Sequence, residues 1–336
     1  MSEYEVYSYE AFCKRIRDDI RTVDEAKLQL LDEKRLNDYL TMVKQERRNL
    51  SENVSNEEIL ELMAVTACNV PTLAGIMTFS KYPQTYFPQL CITAVCLPGT
   101  EMGTVGESGE RFIDNKRITG AIPDMLEEAV EFVRKNSRTK TIIDDNGKRK
   151  DKPEYPIKAV REAILNALVH RDYSLHTENT PIRIEMYRDR MEVINSGGLY
   201  GKISIDALGK VHPETRNAAL ANMLELLRIT ENRYSGIPTM RSEFIQAGLP
   251  VPIFSVVHGE FKVVMKNDCY KENTTSEKAI LDFCSIPRSR AELIEFTGKS
   301  RTYTMISLVA PLVSAGKLKM TLPDKPKSSK QRYIKA

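Results

Sequence analysis

The chain has no tryptophan, and its six cysteines form no C-x-x-C pair. Zinc ribbons and disulfide frameworks both need paired cysteines, so neither is expected to organise this protein. The four histidines, His170, His176, His212 and His258, show no metal-ligand spacing. No apolar run approaches the roughly 18 residues that span a bilayer. The opening MSEYEVYSYEAF lacks the basic-then-apolar order of a secretory signal. These absences predict a cytoplasmic chain with reduced, buried thiols and no membrane contact. There is also no G-x-x-x-x-G-K-[ST] loop, which excludes phosphate binding of the P-loop kind and gives no support to a helicase motor.

Excess charge of one sign is scarce in bulk but not locally. The whole chain carries a net +3, whereas residues 271–336 hold 13 Lys/Arg against 6 Asp/Glu, a net +7 that leaves −4 on residues 1–270. A basic C-terminal segment on a mildly acidic body points to a local polyanion contact.

The fold class reads as α+β in three regions. Residues 1–150 mix helices and strands. Leu28, Leu31, Leu36, Leu40 and Val43 recur at roughly helical spacing among charges, and Ser55-x-x-Glu58 opens a second helix with a capping box. Pro71 and Gly75 interrupt the chain next. QLCITAVCL predicts a buried strand, residues 122–136 an amphipathic helix, and Asn146-Gly147 a hairpin turn. In residues 151–270, Pro156 opens a helix with Ile157, Val160, Ile164 and Leu168 as its core stripe. IRIEMY and RMEVIN follow as a hairpin, then helices over 217–228 and 239–246, then strands IFSVVH and FKVVMK around Gly259. That order predicts helices on one face of a sheet. Residues 271–336 give three helices, the last over 300–312, and a β-hairpin with a basic loop, the winged-helix pattern.

Glu162 and Asn166 stand four apart on one helix and share a face, which His170 extends by a turn. A carboxylate beside an amide oxygen can orient a water and ligate Mg²⁺, which prefers oxygen donors. Alone, such a pair is an ordinary surface feature. Two glycine turns give it company. Asn195, Ser196, Gly197 and Gly198 close the hairpin, where glycine lets backbone approach a base or phosphate. The second turn, Glu231 to Pro238, precedes a helix; its Ser235 and Gly236 sit where helix N–H groups suit phosphate, and Arg233 adds charge-assisted contacts.

REAILNALVHRDYS, INSGG, RNAALANMLELL and ITENRYSGIPTM together resemble a group of bacterial proteins. These pair a Schlafen AlbA-type domain with a divergent ATPase domain of the gyrase/Hsp90/histidine-kinase/MutL (GHKL) type, and are labelled transcriptional regulators or RecG-related. PTLAGIMTFSKYPQTYFPQ and RITGAIPDMLEEAVEFVRKN are similar to the part preceding the ATPase domain, and residues 287–334 to a C-terminal winged helix. The resemblance implies three domains: 1–150, a truncated AlbA-type region and connector that the chain enters part-way; 151–270, an ATP-binding α/β sandwich; and 271–336, a winged helix. It implies Glu162 as general base, Asn166 as Mg²⁺ ligand, and ATP and Mg²⁺ as cofactors. Asn195 takes the place of the aspartate that reads adenine, Gly197 matches the first glycine of that D-x-G-x-G box, and Gly236 a glycine of the phosphate lid. Asn195 and Tyr234 depart from the pattern: the first replaces a carboxylate, the second a glycine.

At the C-terminal end, Arg301, Thr302, Tyr303 and Thr304 open the third helix, where a recognition helix meets base edges or phosphates. The hairpin loop offers Lys325, Lys327, Lys330 and Arg332 to the backbone of duplex DNA. The expected function is a cytoplasmic, ATP-binding and DNA-binding transcriptional regulator, with a homodimer as a compatible assembly. Two alternatives stand beside it: an active Mg²⁺-dependent ATPase of a DNA-processing or defence system, and a non-enzymatic scaffold with a degenerate pocket.

Overall fold

The structure, a computed structural model, describes residues 3–14, 16–50, 54–143, 149–212, 214–230, 235–269, 277–297, 301, 303–325, 328 and 331–336. It divides into two compact units, Met1–Tyr270 and Lys271–Ala336.

The first unit opens with α1 (Glu3–Lys14), α2 (Glu33–Glu46) and α3 (Asn56–Leu62). Leu28 and Leu31, which share the helical period of α2, lie outside it: Leu28 starts a 3-10 turn, and Asp32 then caps α2 by accepting from the Arg35 N–H at 3.0 Å. The cap residue, not the apolar spacing, sets where this helix begins. The capping box of α3 forms as its sequence predicts, Glu58 N–H to Ser55 Oγ at 3.2 Å and Ser55 N–H to Glu58 Oε2 at 2.8 Å. A short hairpin, β1 (Thr66–Ala67) and β2 (Val70–Pro71), leads to α4 (Leu73–Phe79). Gly75 does not interrupt the chain but sits inside buried α4, where a Cβ would come within 2.2 Å of the Val65 carbonyl oxygen.

Next come β3 (Ile92–Cys96), β4 (Asp114–Ile118), α5 (Ile122–Asn136), the hairpin β5 (Thr139–Ile143) and β6 (Arg149–Pro153), α6 (Ile157–His170), β7 (Ile182–Met186), β8 (Arg190–Ser196), α7 (Ala218–Leu226), α8 (Gly236–Gln246), β9 (Ile253–Val257) and β10 (Glu260–Lys266). The Asn146-Gly147 turn lies outside the described residues, but the strands flanking it pair antiparallel in the expected hairpin. Helix α8 starts three residues before the periodicity places it, at Gly236.

Six strands form one sheet in the order β4-β3-β7-β8-β10-β9, with β3 and β7 parallel and the other neighbours antiparallel. The sheet takes strands from both sides of residue 150, so those regions share one core. Alternation along β7 buries Ile182, Ile184 and Met186, and α6 buries Val160, Ala163, Ile164, Ala167 and Leu168. Each such Val, Ile, Leu or Met side chain contributes about 1.5–3 kcal/mol on leaving water. Helices α5, α6 and α8 pack together as the covering layer. The other face is polar, with Arg183 held by Glu260 at 2.8 Å and Glu192 held by Arg190 at 2.7 Å and Lys262 at 2.6 Å.

The second unit runs α9 (Glu277–Phe283), β11 (Arg288–Ser289), α10 (Arg290–Thr297), a π-helical stretch Tyr303–Val309, α11 (Ala310–Ser314), β12 (Leu318–Met320) and β13 (Arg332–Lys335). The helix read over 300–312 is thus π-wound over Tyr303–Val309 and α-helical again from Ala310. Gly316 ends it at φ +69, the left-handed conformation glycine adopts at low cost. Three strands order as β11-β13-β12 over a small core of Ile280, Cys284, Leu293, Val309, Leu312, Leu318 and Tyr333. No described helix is long and apolar enough to cross a membrane.

Candidate functional site

Helix α6 carries Glu162 and Asn166 on the face it does not bury in the core. Asn166 Nδ2 donates to the Glu162 carbonyl at 2.8 Å and to Glu162 Oε1 at 3.2 Å. With its nitrogen so engaged, the amide oxygen is the end left to meet a ligand. Helix α8 begins against this pair. A Cβ on Gly236 would lie 2.2 Å from Glu162 Oε1 and 2.9 Å from Asn166 Nδ2, so a side chain here would displace the ends of that pair.

The end of β8 forms a second wall. Gly197 adopts φ +99, and a Cβ there would lie 2.9 Å from the backbone nitrogen of Asp172. Asn195 is buried and donates from Nδ2 to the Ser196 carbonyl at 3.1 Å. Both walls open on one cavity of about 500 Å³, lined by Glu162, Asn166, His170, Asn195, Gly197, Gly198, Ser235 and Gly236. That volume lies in the range of small-molecule and cofactor sites. Leu165, Val169, Met240, Phe254 and Phe261 supply apolar surface, and Lys158, Arg161 and Arg216 supply positive charge.

His170 shows surface area, but the surface faces this cavity and protein crowds the ring. Desolvation and then the positive charge of Arg216 push its pKa down to about 4, so the imidazole is neutral at pH 7. Arg216 forms a buried pair with Asp172 at 2.7 Å, lies over the Tyr200 ring at 5.1 Å and reaches the Gly198 carbonyl at 3.4 Å. Asp172 in turn accepts the Ser174 N–H at 2.8 Å and backs onto Gly197. Sequence reading assigned no role to Asp172 or Arg216. Their signal was present in HRDYS and RNAALANMLELL, yet a pair so far apart in sequence has no spacing to betray it.

Every described residue expected at the nucleotide site is brought together; Arg233 lies outside the described residues, as does Tyr234. Among the described residues no group of three or more His, Cys, Asp or Glu could hold a metal ion. The Glu162 carboxylate and the Asn166 amide oxygen are oxygen donors of the kind Mg²⁺ accepts. In the second unit, Arg301 and Lys325 are exposed, and Arg332 donates to the Pro287 carbonyl at 3.2 Å and approaches Glu292 at 3.8 Å. Thr302, Lys327 and Lys330, and the side chain of Tyr303, lie outside the described residues.

Comparison with known proteins bears on the first unit. Residues 179–265 match the family described as "Putative ATP-dependent DNA helicase recG C-terminal". The match spans β7 to β10, including Asn195, Gly197 and Gly236, and starts after Glu162 and Asn166. Among solved structures the chain is similar in fold to the DIP2311 protein of Corynebacterium diphtheriae, with a TM-score of 0.56 and 16% identity over 93% of this chain. The alignment spans 62% of that protein's length. No curated protein matches. Residues 179–265 are thus similar to an ATPase-like family segment, and they lie in a mixed α+β fold.

Proposed function

We propose that the first unit binds ATP with Mg²⁺ in the cavity between α6, α8 and the end of β8, and that the second unit binds duplex DNA. The observation that carries the nucleotide reading is convergence: Glu162 and Asn166 from one helix, Asn195 to Gly198 from a strand end, and Ser235 and Gly236 from a helix start line one space. The ATPase-like match of residues 179–265 supports the same ligand class. In this reading Asn166 and Glu162 hold the metal and its water, the start of α8 meets the phosphates, and Asn195 meets the base with an amide oxygen instead of a carboxylate. Glu162 is then the general base if hydrolysis follows. The C-terminal reading rests on the net +7 of residues 271–336 and on the order helix, strand, helix, helix, hairpin, which is that of a winged helix. Coupling of the two would make the chain an ATP-responsive regulator.

Calorimetry tests the pocket. ATP and ADP should bind in the presence of Mg²⁺, and Asn166→Ala should weaken the Mg²⁺-dependent part. Should turnover be seen, Glu162→Ala lowers it about 100-fold while leaving binding in place, as loss of a general base does. Heat-silent titrations with both nucleotides would leave a pocket without its ligand and end the reading.

A further inference from the structure

The β5–β6 hairpin stands apart from both readings. Its strands pair with each other and belong to no larger sheet. Thr139, Lys140, Thr141, Ile143, Arg149, Asp151, Lys152 and Pro153 are all exposed, although alternate residues of a strand face opposite ways. No described side chain on either face is therefore packed on a core. A two-stranded hairpin without such packing is marginal in water, so its persistence in the chain asks for another use.

Charge indicates the use. The two strands hold four basic residues, Lys140, Arg149, Lys150 and Lys152, and one acidic residue, Asp151, on a unit whose net charge is −4. Lys140 stands directly opposite Lys152 in the register. Like charges so placed weaken a hairpin. Lys152 has no ion pair among the described residues, while Arg149 and Lys140 have only exposed partners, Asp151 and Asp268. Exposed pairs of this kind are worth little and exchange readily for phosphate. The base, by contrast, is fixed. Glu154 accepts from Arg138 and from Asn267 Nδ2 at 2.6 Å, and Arg138 and Asn267 both donate to the Arg188 carbonyl, at 3.2 and 3.1 Å. An exposed basic ribbon on a braced stem has the shape and charge to lie along a nucleic-acid groove, which admits a two-stranded β-ribbon.

We infer that the β5–β6 hairpin is a second DNA-contacting arm that grips phosphates of a duplex through Lys140, Arg149 and Lys152. The inference deepens the DNA reading above and rests on it for the class of partner, but it places the contact on the first unit.

The test uses the full chain and a fluorescein-labelled duplex, with anisotropy followed from about 50 to 200 mM salt. The variants are K140A/R149A/K152A in the hairpin and R301A/K325A/R332A in the second unit. Loss of three phosphate contacts should lower the slope of log affinity against log salt by about 2 to 3 and weaken binding at least about tenfold at low salt. The melting temperature of the hairpin variant should match wild type, since none of its three side chains is buried, and this separates lost contact from lost fold. A hairpin variant with wild-type affinity and slope overturns the inference. If only the second-unit variant loses binding, the hairpin fails and the winged-helix reading stands; if only the hairpin variant does, the reverse holds. No binding by wild type at low salt sinks both. Tighter capture by anionic vesicles than by duplex, lost in the hairpin variant, would assign the arm to a membrane surface and overturn it as a DNA contact.

Discussion

Two glycines beside the cavity should respond differently to a side chain. At Gly236 a Cβ meets the far ends of Glu162 and Asn166, at 2.2 and 2.9 Å. Those ends can swing aside, so Gly236→Ala should leave the urea midpoint close to wild type. The displaced carboxylate and amide are the proposed metal-binding pair, so Mg²⁺–nucleotide affinity should fall at least about tenfold, or about 1.4 kcal/mol. At Gly197 a Cβ meets backbone, the Asp172 nitrogen at 2.9 Å, with φ already at +99. Backbone cannot swing, and Gly197→Ala should cost about 1–3 kcal/mol of stability. Paired urea melts and calorimetry read both. Should Gly236→Ala melt early yet bind nucleotide as wild type does, Gly236 serves packing and not the site. Both glycines were legible in the sequence because a turn residue announces itself locally. The Asp172–Arg216 pair was not, because an ion pair between distant residues depends on the fold that joins them.

Helix α7 shows the same limit one level up. Its N-terminal N–H groups are satisfied by a residue some two hundred positions away: Asp19 Oδ2 accepts from Ala219 N–H at 2.7 Å and from Leu220 N–H at 3.4 Å. Asp19 is fully buried, and desolvation raises its pKa above the ordinary value near 3.8, outweighing Arg17 and the two N–H groups. An acid whose pKa rises on folding binds more protons folded than unfolded, so its contribution to stability grows as pH falls through that window and is weakest above it. Asp19→Asn keeps an acceptor for α7 and removes the burial penalty, so it should match or exceed wild type at pH 7 and lose the acid-side gain. Asp19→Ala leaves two buried N–H groups unpaired and should cost about 1–3 kcal/mol. Chemical melts at pH 4.5 and pH 7 decide; wild-type stability in Asp19→Ala would show that water or another group caps α7. Element identity was largely readable here: the Ser55 box, the Pro156 entry to α6, the β7–β8 hairpin and the β5–β6 strands all follow from local chemistry. Element boundaries were less so, since Asp32 rather than leucine periodicity starts α2. Sheet order was not readable at all, because periodicity marks a strand without naming its neighbour, and β3 joins β7 across a strand, two helices and a hairpin.

At the level of the whole chain, the two units differ in size, charge and what holds them. The first builds a six-stranded sheet under a helix layer; the second has, among the described residues, seven buried apolar side chains and three short strands. A unit this small is near the lower limit for independent folding, but its elements are closed locally. Glu292 shows how: it accepts from the Ser289 N–H at 2.9 Å while Ser289 Oγ accepts from the Glu292 N–H at 3.3 Å, a capping box at the start of α10. The Ser289 hydroxyl, then its N–H and Arg288, hold the Glu292 pKa down to about 2, so this support is present at neutral pH and fades as pH falls from about 4.5 toward 2. A fragment covering residues 271–336 should therefore fold at neutral pH, with the helical signal of α9, α10 and α11 and a cooperative melt. With a net +7, it should bind duplex DNA with a steep salt dependence, because each Lys or Arg on a phosphate releases condensed counterions. Lys325→Ala should weaken all duplexes alike and reduce the salt slope by about 1, whereas Arg301→Ala, at the start of the third helical stretch, should change the ranking of sequences. Arg332 should matter less than Lys325, since it already donates to the Pro287 carbonyl. A fragment that folds by circular dichroism yet ignores duplex DNA at about 50 mM salt, where phosphate contacts are least screened, would make this unit a protein-binding module and leave any DNA contact to the first unit.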